Sequence, residues 1–512
     1  MKLKIKRRAL KHGSVSIALT LLVVAAVVIS NAAVYALFAG FGWYVDMSAS
    51  PVYEIDNECR EYISDEIFSL MDEVNKKNGT ADKIIITFCD EEKNLDDQLA
   101  QEYVMNSIYQ MRDLFPERIE IDFLNVWENP KLAKEYGVTD ASDIVFGFGE
   151  RHITLAISQF YVTTGGDIEN PSAYIGGRRI ASAMLRVVSE TTPMCYFTLN
   201  HGEGLESSEF MYLLADAGLS YSFIDLAASD IPEDCELLIT LDPTSDLLEP
   251  SKLSEISESA KLDQYMQNGG KYMVFLSANS LISNKLSNFE RFLSEWGVEY
   301  MSATDSEGAE SCCVIRDVSN SVSIDGYTFF SEHATSAAAN EIFGASKKAN
   351  VFGSSAAITV SDGFKAQSDS SYINGDRVWS PILTTTSSAE AWAGSLLVDK
   401  ANDTPFTLMS LTEQKCENGK TAALMVCPSV EFCEEAQLQS TVYGNAETLL
   451  CILSRMGYKG APTTLTARAL QTPPIQSLTT KNAAIISAAM ALVPTVVISL
   501  VGVFVLVRRR YS

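Results

Sequence analysis

The chain has 512 residues, with 65 Asp and Glu against 39 Lys and Arg, for a formal charge of −26. That balance excludes a nucleic-acid binder, because phosphates would be repelled, and it opposes lying flat on anionic lipid. An apolar share of 47% excludes a disordered chain and supports real cores.

Residues 13–45 contain no Asp, Glu, Lys or Arg, and neither do residues 483–507. A spanning helix needs about 20 apolar residues, so both stretches are predicted transmembrane helices. All 65 carboxylates lie in residues 46–482, beside 30 Lys and Arg, a formal −35. The other basic residues sit at the tips, 1–12 and 508–512, and Lys/Arg-rich flanks stay cytoplasmic. The expected topology is a two-pass protein of the cell membrane with both termini inside and residues 46–482 extracytoplasmic. A cleaved signal peptide would share the basic start, but its apolar region runs about 7–15 residues. Residues 15–41 are apolar over nearly twice that length.

Between the spans the pattern is α/β. Apolar spacing predicts a helix over 52–77, stopped by Asn78-Gly79, and a β-branched strand over 83–89. A helix over 95–114, a strand over 119–127, a short helix over 130–136 and a hairpin of 143–148 with 152–157 follow, then a helix over 182–188. This order, with Asn129-Pro130 and Tyr136-Gly137-Val138, resembles a thioredoxin-like domain, placed at 52–190. Redox chemistry needs a second thiol three residues on, and Cys89 is followed by Asp90-Glu91-Glu92. The domain is therefore read as a shape without redox function.

A second α/β domain is placed at 191–465. Strands at 194–199, 221–225, 235–241 and 272–277 alternate with helices at 206–217, 252–267 and 288–296, which predicts a parallel sheet with helices on both faces. Residues 300–400 read as insertions and β-structure. A hairpin of 406–411 and 421–426 turns at Asn418-Gly419, a helix covers 443–456, and 466–482 links to the second span. The alternation resembles the flavodoxin-like fold of class I glutamine-amidotransferase domains. Those carry a nucleophilic cysteine after a strand, where this chain has Asp242-Pro243-Thr244-Ser245. Gly419-Lys420-Thr421 mimics a P-loop tail but has Gln414 where the motif needs glycine, so no nucleotide binding is expected.

All ten cysteines lie in the exterior part, with no C-x-x-C and no histidine at zinc-ligand spacing. Cys195 and Cys427 read as buried thiols, and one disulfide among Cys416, Cys427, Cys433 and Cys451 is compatible with export. No metal, cofactor or catalytic residue is expected. The candidate ligand-binding residues are Asn200, His201, Gly202, Glu203 and Gly204, which follow a strand and precede a helix. Ligands bind at such strand ends, glycines let backbone approach closely, and a helix start offers N–H groups to an anion. A structural turn is the competing reading.

Taken in order, several motifs resemble the GldG-like auxiliary component of ABC-type transport systems. They are residues 197–203 ending in His201-Gly202-Glu203, then Gly269-Gly270-Lys271, then 382–392 ending in Ala391-Trp392, then 425–432, and finally Gly444-Asn445. The family loop begins with Gly where this chain has Asn200, a residue that tolerates positive φ. The resemblance implies a non-catalytic membrane subunit working beside a separate ATPase and permease. An anchored extracytoplasmic enzyme or ligand binder using His201 and Glu203, and a purely structural scaffold, are the alternatives.

Overall fold

The computed structural model describes residues 55, 57–95, 99–163, 171–204, 207–250, 255–283, 286–304, 308, 310–344, 348–402, 404–440, 442–458, 460 and 467–470. Both predicted spans and both basic tips lie outside the described residues. Among the described residues no helix is long and apolar enough to cross a membrane.

The chain from Ile55 onward is a mixed α/β unit built on two main sheets. In the first lobe, α1 (Asn57–Tyr62) runs through a π-turn, Ile63–Ile67, into α2 (Phe68–Asn78). Gly79, at φ 71°, closes it in the left-handed region that glycine enters without strain. Strand β1 (Ile84–Phe88) is followed by α3 (Leu99–Leu114), β2 (Ile119–Phe123), α4 (Pro130–Glu135), β3 (Ile144–Phe148) and β4 (Arg151–Leu155). The sheet order is β2-β1-β3-β4, with β2 parallel and β3 antiparallel to β1. Val104, Ile108 and Met111 of α3 recur at helical spacing and are fully buried.

The strand expected over 119–127 stops at Phe123. The Asn125 side-chain carbonyl accepts from the N–H groups of Trp127 and Glu128, an Asx turn that competes with the ladder. Trp127 ends up 80% exposed. The helix expected over 182–188 is longer: α5 spans Gly176–Val188. Its Gly-Gly start reads as a breaker, yet a Cβ on Gly176 would lie 1.9 Å from the Tyr174 hydroxyl, so only glycine fits.

In the second lobe, β5 (Met194–Thr198), α6 (Ser208–Asp216), β6 (Ser220–Ile224), β7 (Cys235–Leu241), α7 (Glu258–Gln267), β8 (Lys271–Phe275) and α8 (Ser287–Glu295) alternate as expected. After the inserted region come β9 (Arg377–Thr384), β10 (Thr407–Lys415), β11 (Thr421–Cys427) and α9 (Asn445–Arg455). The sheet core runs β6-β5-β7-β8-β11, all parallel, and then turns antiparallel through β10 and β9.

Helices cover both faces of this sheet. Phe210 and Leu213 of α6 and Leu449 and Ile452 of α9 pack with Phe197, Ile239 and Met425. Leu262 and Met266 of α7 and Phe289 and Leu293 of α8 pack with Leu238, Val274 and Leu424. Helix α7 starts later than the 252–267 expected, because the Ser257 hydroxyl caps it by accepting from the Ala260 N–H at 3.2 Å.

The tail returns to the first lobe. Arg468–Ala469, inside the expected linker, pairs with Ala173–Tyr174, which in turn pairs with Tyr161–Val162. At the other end the Ile55 N–H bonds the Gln110 side chain of α3. Both ends of the described body therefore rest on the same lobe.

Candidate functional site

In the parallel core, the chain goes from β5 outward to β6 and then back across β5 to β7. The carboxyl ends of β5 and β7 thus flank the topological switch point, where an open α/β sheet takes its ligand. Residues Asn200 to Gly204 follow β5 and sit there. Asn200 has φ 74° and Gly202 φ 78°, so the loop turns twice through the left-handed region. Asn200, a residue that tolerates positive φ, adopts it here. The loop is laced to the next strand end, because the His201 carbonyl accepts from the N–H groups of Thr244 and Ser245 at 2.7 and 2.8 Å.

The two turns drive the His201 ring inward, where it is 6% exposed. Its Nε2 lies 2.8 Å from Glu258 Oε2, and its Nδ1 lies 3.5 Å from Glu203 Oε1. Glu258 opens α7 and is fully buried, and its Oε2 also accepts from the Leu248 N–H at 2.7 Å. With Glu203 on one ring nitrogen and Glu258 on the other, the imidazole stays protonated, its pKa pushed up to about 10 against the cost of burial. Burial raises the Glu203 carboxyl. The bonds it accepts from His201, its own and the His201 backbone, and Thr198 outweigh this and hold it below the usual range.

A line of hydroxyls supports Glu203. Thr198 donates to Glu203 Oε1 at 2.9 Å, Thr198 and Thr240 are 2.8 Å apart, and Thr240 and Tyr272 are 2.7 Å apart. A carboxylate only accepts, so the protons run Tyr272 to Thr240 to Thr198 to Glu203, across β8, β7 and β5. Asn200 is tied outward to Asp225 at 2.6 Å. Gly202 and Gly204 are exposed.

This arrangement fixes what the loop can do chemically. A protonated imidazole with a carboxylate at each nitrogen has no lone pair to accept a proton or bind a metal. Among the described residues no group of three or more His, Cys, Asp or Glu is placed to hold a metal ion. At the switch point the His201 side chain is itself buried between the two carboxylates. Sequence reasoning found His201 and Glu203 but missed Glu258, 57 residues away. The only local signal at Glu258 is its place beside a capping serine.

The other motifs are also joints. Gly269 has φ 86°, and a Cβ on Gly270 would overlap the Tyr265 ring. Thr386 and Ser388 both donate to Asp317, which is fully buried, with Ser388 at 2.7 Å. Asn445, at the head of α9, accepts from the Val351 N–H and donates to the Val351 and Phe432 carbonyls at 2.9 to 3.2 Å. Gly419 lies in the β10–β11 hairpin turn at φ 81°, which is not the strand-to-helix setting of a phosphate loop.

Cys89 is buried, and burial, helped by Asp143, pushes its thiol up to about 12. Cys195 and Cys427 are fully buried, as expected, with thiols raised by burial. Cys416, Cys427 and Cys433 are free thiols.

A second polar centre was not foreseen. Arg178 and Arg179 of α5 and Glu209 and Asp216 of α6 are each at most 5% exposed. Arg179 donates to Asp216 and to Glu209, both at 2.5 Å, and to the Gln159 carbonyl at 3.1 Å. Arg178 Nε lies 2.8 Å from Asp216 without the alignment of a hydrogen bond. The four charges join the two lobes.

No family model and no curated protein matches the chain. Among solved structures, it is similar to the mmIFT52 N-terminal domain at 14% identity and TM-score 0.35, over 51% of this chain and 96% of that one. A cytoplasmic protein from Salmonella typhimurium matches at 10% identity and TM-score 0.28, over 54% and 99%. A glutamine amidotransferase from Thermotoga maritima matches at 9% identity and TM-score 0.27, over 52% and 99%.

Proposed function

We propose that this chain is a non-catalytic auxiliary subunit of an ABC-type transport system, of the GldG-like kind. In this reading two helices, 13–45 and 483–507, anchor it, both termini are cytoplasmic, and the acidic body faces outward beside a separate ATPase and permease. The first lobe is read as thioredoxin-like and the second as flavodoxin/amidotransferase-like.

The observation that carries the reading is where the resembling residues fall. His201-Gly202-Glu203, Gly269-Gly270, Thr386 with Ser388, and Asn445 each fasten a joint of the second lobe through positive φ or buried hydrogen bonds. Residues with such duties are dictated by a fold, which supports reading their shared order with the family as a shared architecture. Two further features agree. The imidazole at the switch point is closed between carboxylates, which suits a subunit without chemistry of its own. Both ends of the body rest on the first lobe, which suits two tethers entering one membrane.

The test is affinity purification of the full chain from native membranes with mass spectrometry of co-purifying proteins. A P-loop ATPase and a multi-span permease are the expected partners. Their absence, or a hydrolytic activity that disappears in His201→Gln, would refute the reading. Cysteine-accessibility labelling on intact cells should reach residues within 46–482 and neither terminus.

A further inference from the structure

A cleft of about 190 Å³ opens beside the buried charges, between α5, α6, β4 and β6. Arg179, Ser182, Ala183 and Arg186 of α5 line one wall, at the i, i+3, i+4, i+7 spacing of a single helix face. Met211 and Tyr212 of α6 face them, and Tyr221 of the edge strand β6 closes one side. Arg179 is committed, since its guanidinium holds Asp216, Glu209 and a carbonyl and lies 5.3 Å from the Tyr212 ring centroid.

Arg186 is not committed. Its Nε is buried and meets no acceptor among the described residues. Burial disfavours its charge, and Asp216 opposes this only in part. An arginine does not give up its proton at ordinary pH, so the charge stays. Three guanidiniums, Arg178, Arg179 and Arg186, then stand against two carboxylates, Glu209 and Asp216. One positive charge is left uncompensated on the cleft wall of a chain whose net charge is −26. Arg186 is half-buried and only its Nε is shut off from water, so the rest of its guanidinium faces the cleft, where a planar fork fits a carboxylate two bonds at a time. The remaining walls pair the apolar Ile153, Leu155, Met211, Tyr212 and Tyr221 with the polar Thr154 and Gln159 and with Asp216, whose carboxylate Arg179 already holds, and the volume is too small for a nucleotide.

We propose that this cleft binds a small carboxylate with an apolar body, its carboxylate on the Arg186 guanidinium and its body against Met211, Tyr212 and Tyr221. The site is separate from the switch-point loop, and the proposal does not depend on the transporter reading.

The test is isothermal titration of the purified full chain with sodium benzoate and, separately, inorganic phosphate at fixed ionic strength. Saturable benzoate binding with Kd at or below about 1 mM is expected, with phosphate at least tenfold weaker. Arg186→Gln should weaken benzoate binding at least tenfold while the unliganded protein melts as wild type. Met211→Trp should do the same by filling the cleft with the charge retained, and it decides the matter if the arginine variant fails to fold. No saturable benzoate binding, phosphate binding as tight as benzoate, or full binding in the folded variants would each overturn the proposal.

Discussion

Raising the pH should unfasten the loop at the switch point, and the size of the effect follows from the structure. The His201 imidazolium is buried between Glu258 at 2.8 Å and Glu203 at 3.5 Å, and its pKa is about 10 in the fold against 6.5 for an ordinary histidine. Below 6.5 both folded and unfolded chains hold the proton, and the contact contributes fully. Between 6.5 and about 10 only the folded chain holds it, so stability falls by about 1.4 kcal/mol per pH unit. Across the whole window the loss is about 3–6 kcal/mol. Glu203 sets the opposite limit, since its depressed pKa contributes stability that is lost only as pH falls through the folded value. Urea denaturation of the full chain and of His201→Gln should be compared at pH 6, 7, 8 and 9. The difference in stability should be greatest, at about 3 kcal/mol, at pH 6 and shrink steadily toward pH 9. Glu258→Gln should also destabilise, and the double variant should cost clearly less than the two single costs combined, because each single change strands a buried charge. A difference independent of pH, together with additive single effects, would refute the imidazolium assignment.

Three further outcomes are expected. Gly202→Val should destabilise by about 1–3 kcal/mol, because φ is 78° and the added Cβ would lie 2.0 Å from the Thr244 hydroxyl; an unchanged melting temperature would contradict this. Arg179→Met should cost about 3–5 kcal/mol by leaving Glu209 and Asp216 short of a partner, and limited proteolysis should then cut between the lobes, near residues 189–193. Cys89→Ser should leave complex assembly intact, and Cys89 should label slowly at pH 8, because its thiol titrates near 12; rapid labelling of the folded chain would count against a buried, inert cysteine.

How much of this was legible in the sequence depended on range. Strand β7 was read to the residue, because Cys235 to Leu241 is an apolar run bounded by polar loops. The β10–β11 hairpin was readable from Asn418-Gly419, and the loop at Asn200 from its glycines. All of these are local signals. The partner that defines the loop, Glu258, lies 57 residues on, and Asp317 lies 69 residues from Thr386. Nothing in a short window announces such pairs. The start of α5 was missed for another reason. Gly176-Gly177 argues against a helix, and Arg178-Arg179 looks like solvent-facing surface, whereas the first glycine makes room for Tyr174 and the arginines turn into the joint between lobes.

That joint bears on how the body would respond to a pull. An oily contact can slide by a methyl group and settle again, because dispersion forces have little sense of direction. Two buried carboxylates bonded to the one fixed guanidinium fork of Arg179, with Arg178 beside them, have one alignment, and a small displacement leaves several charges unmatched at once. Tension applied at either end of the described body, both on the first lobe, would reach the second lobe across this seam as across a stiff coupling. It would pass with little give until the seam broke outright.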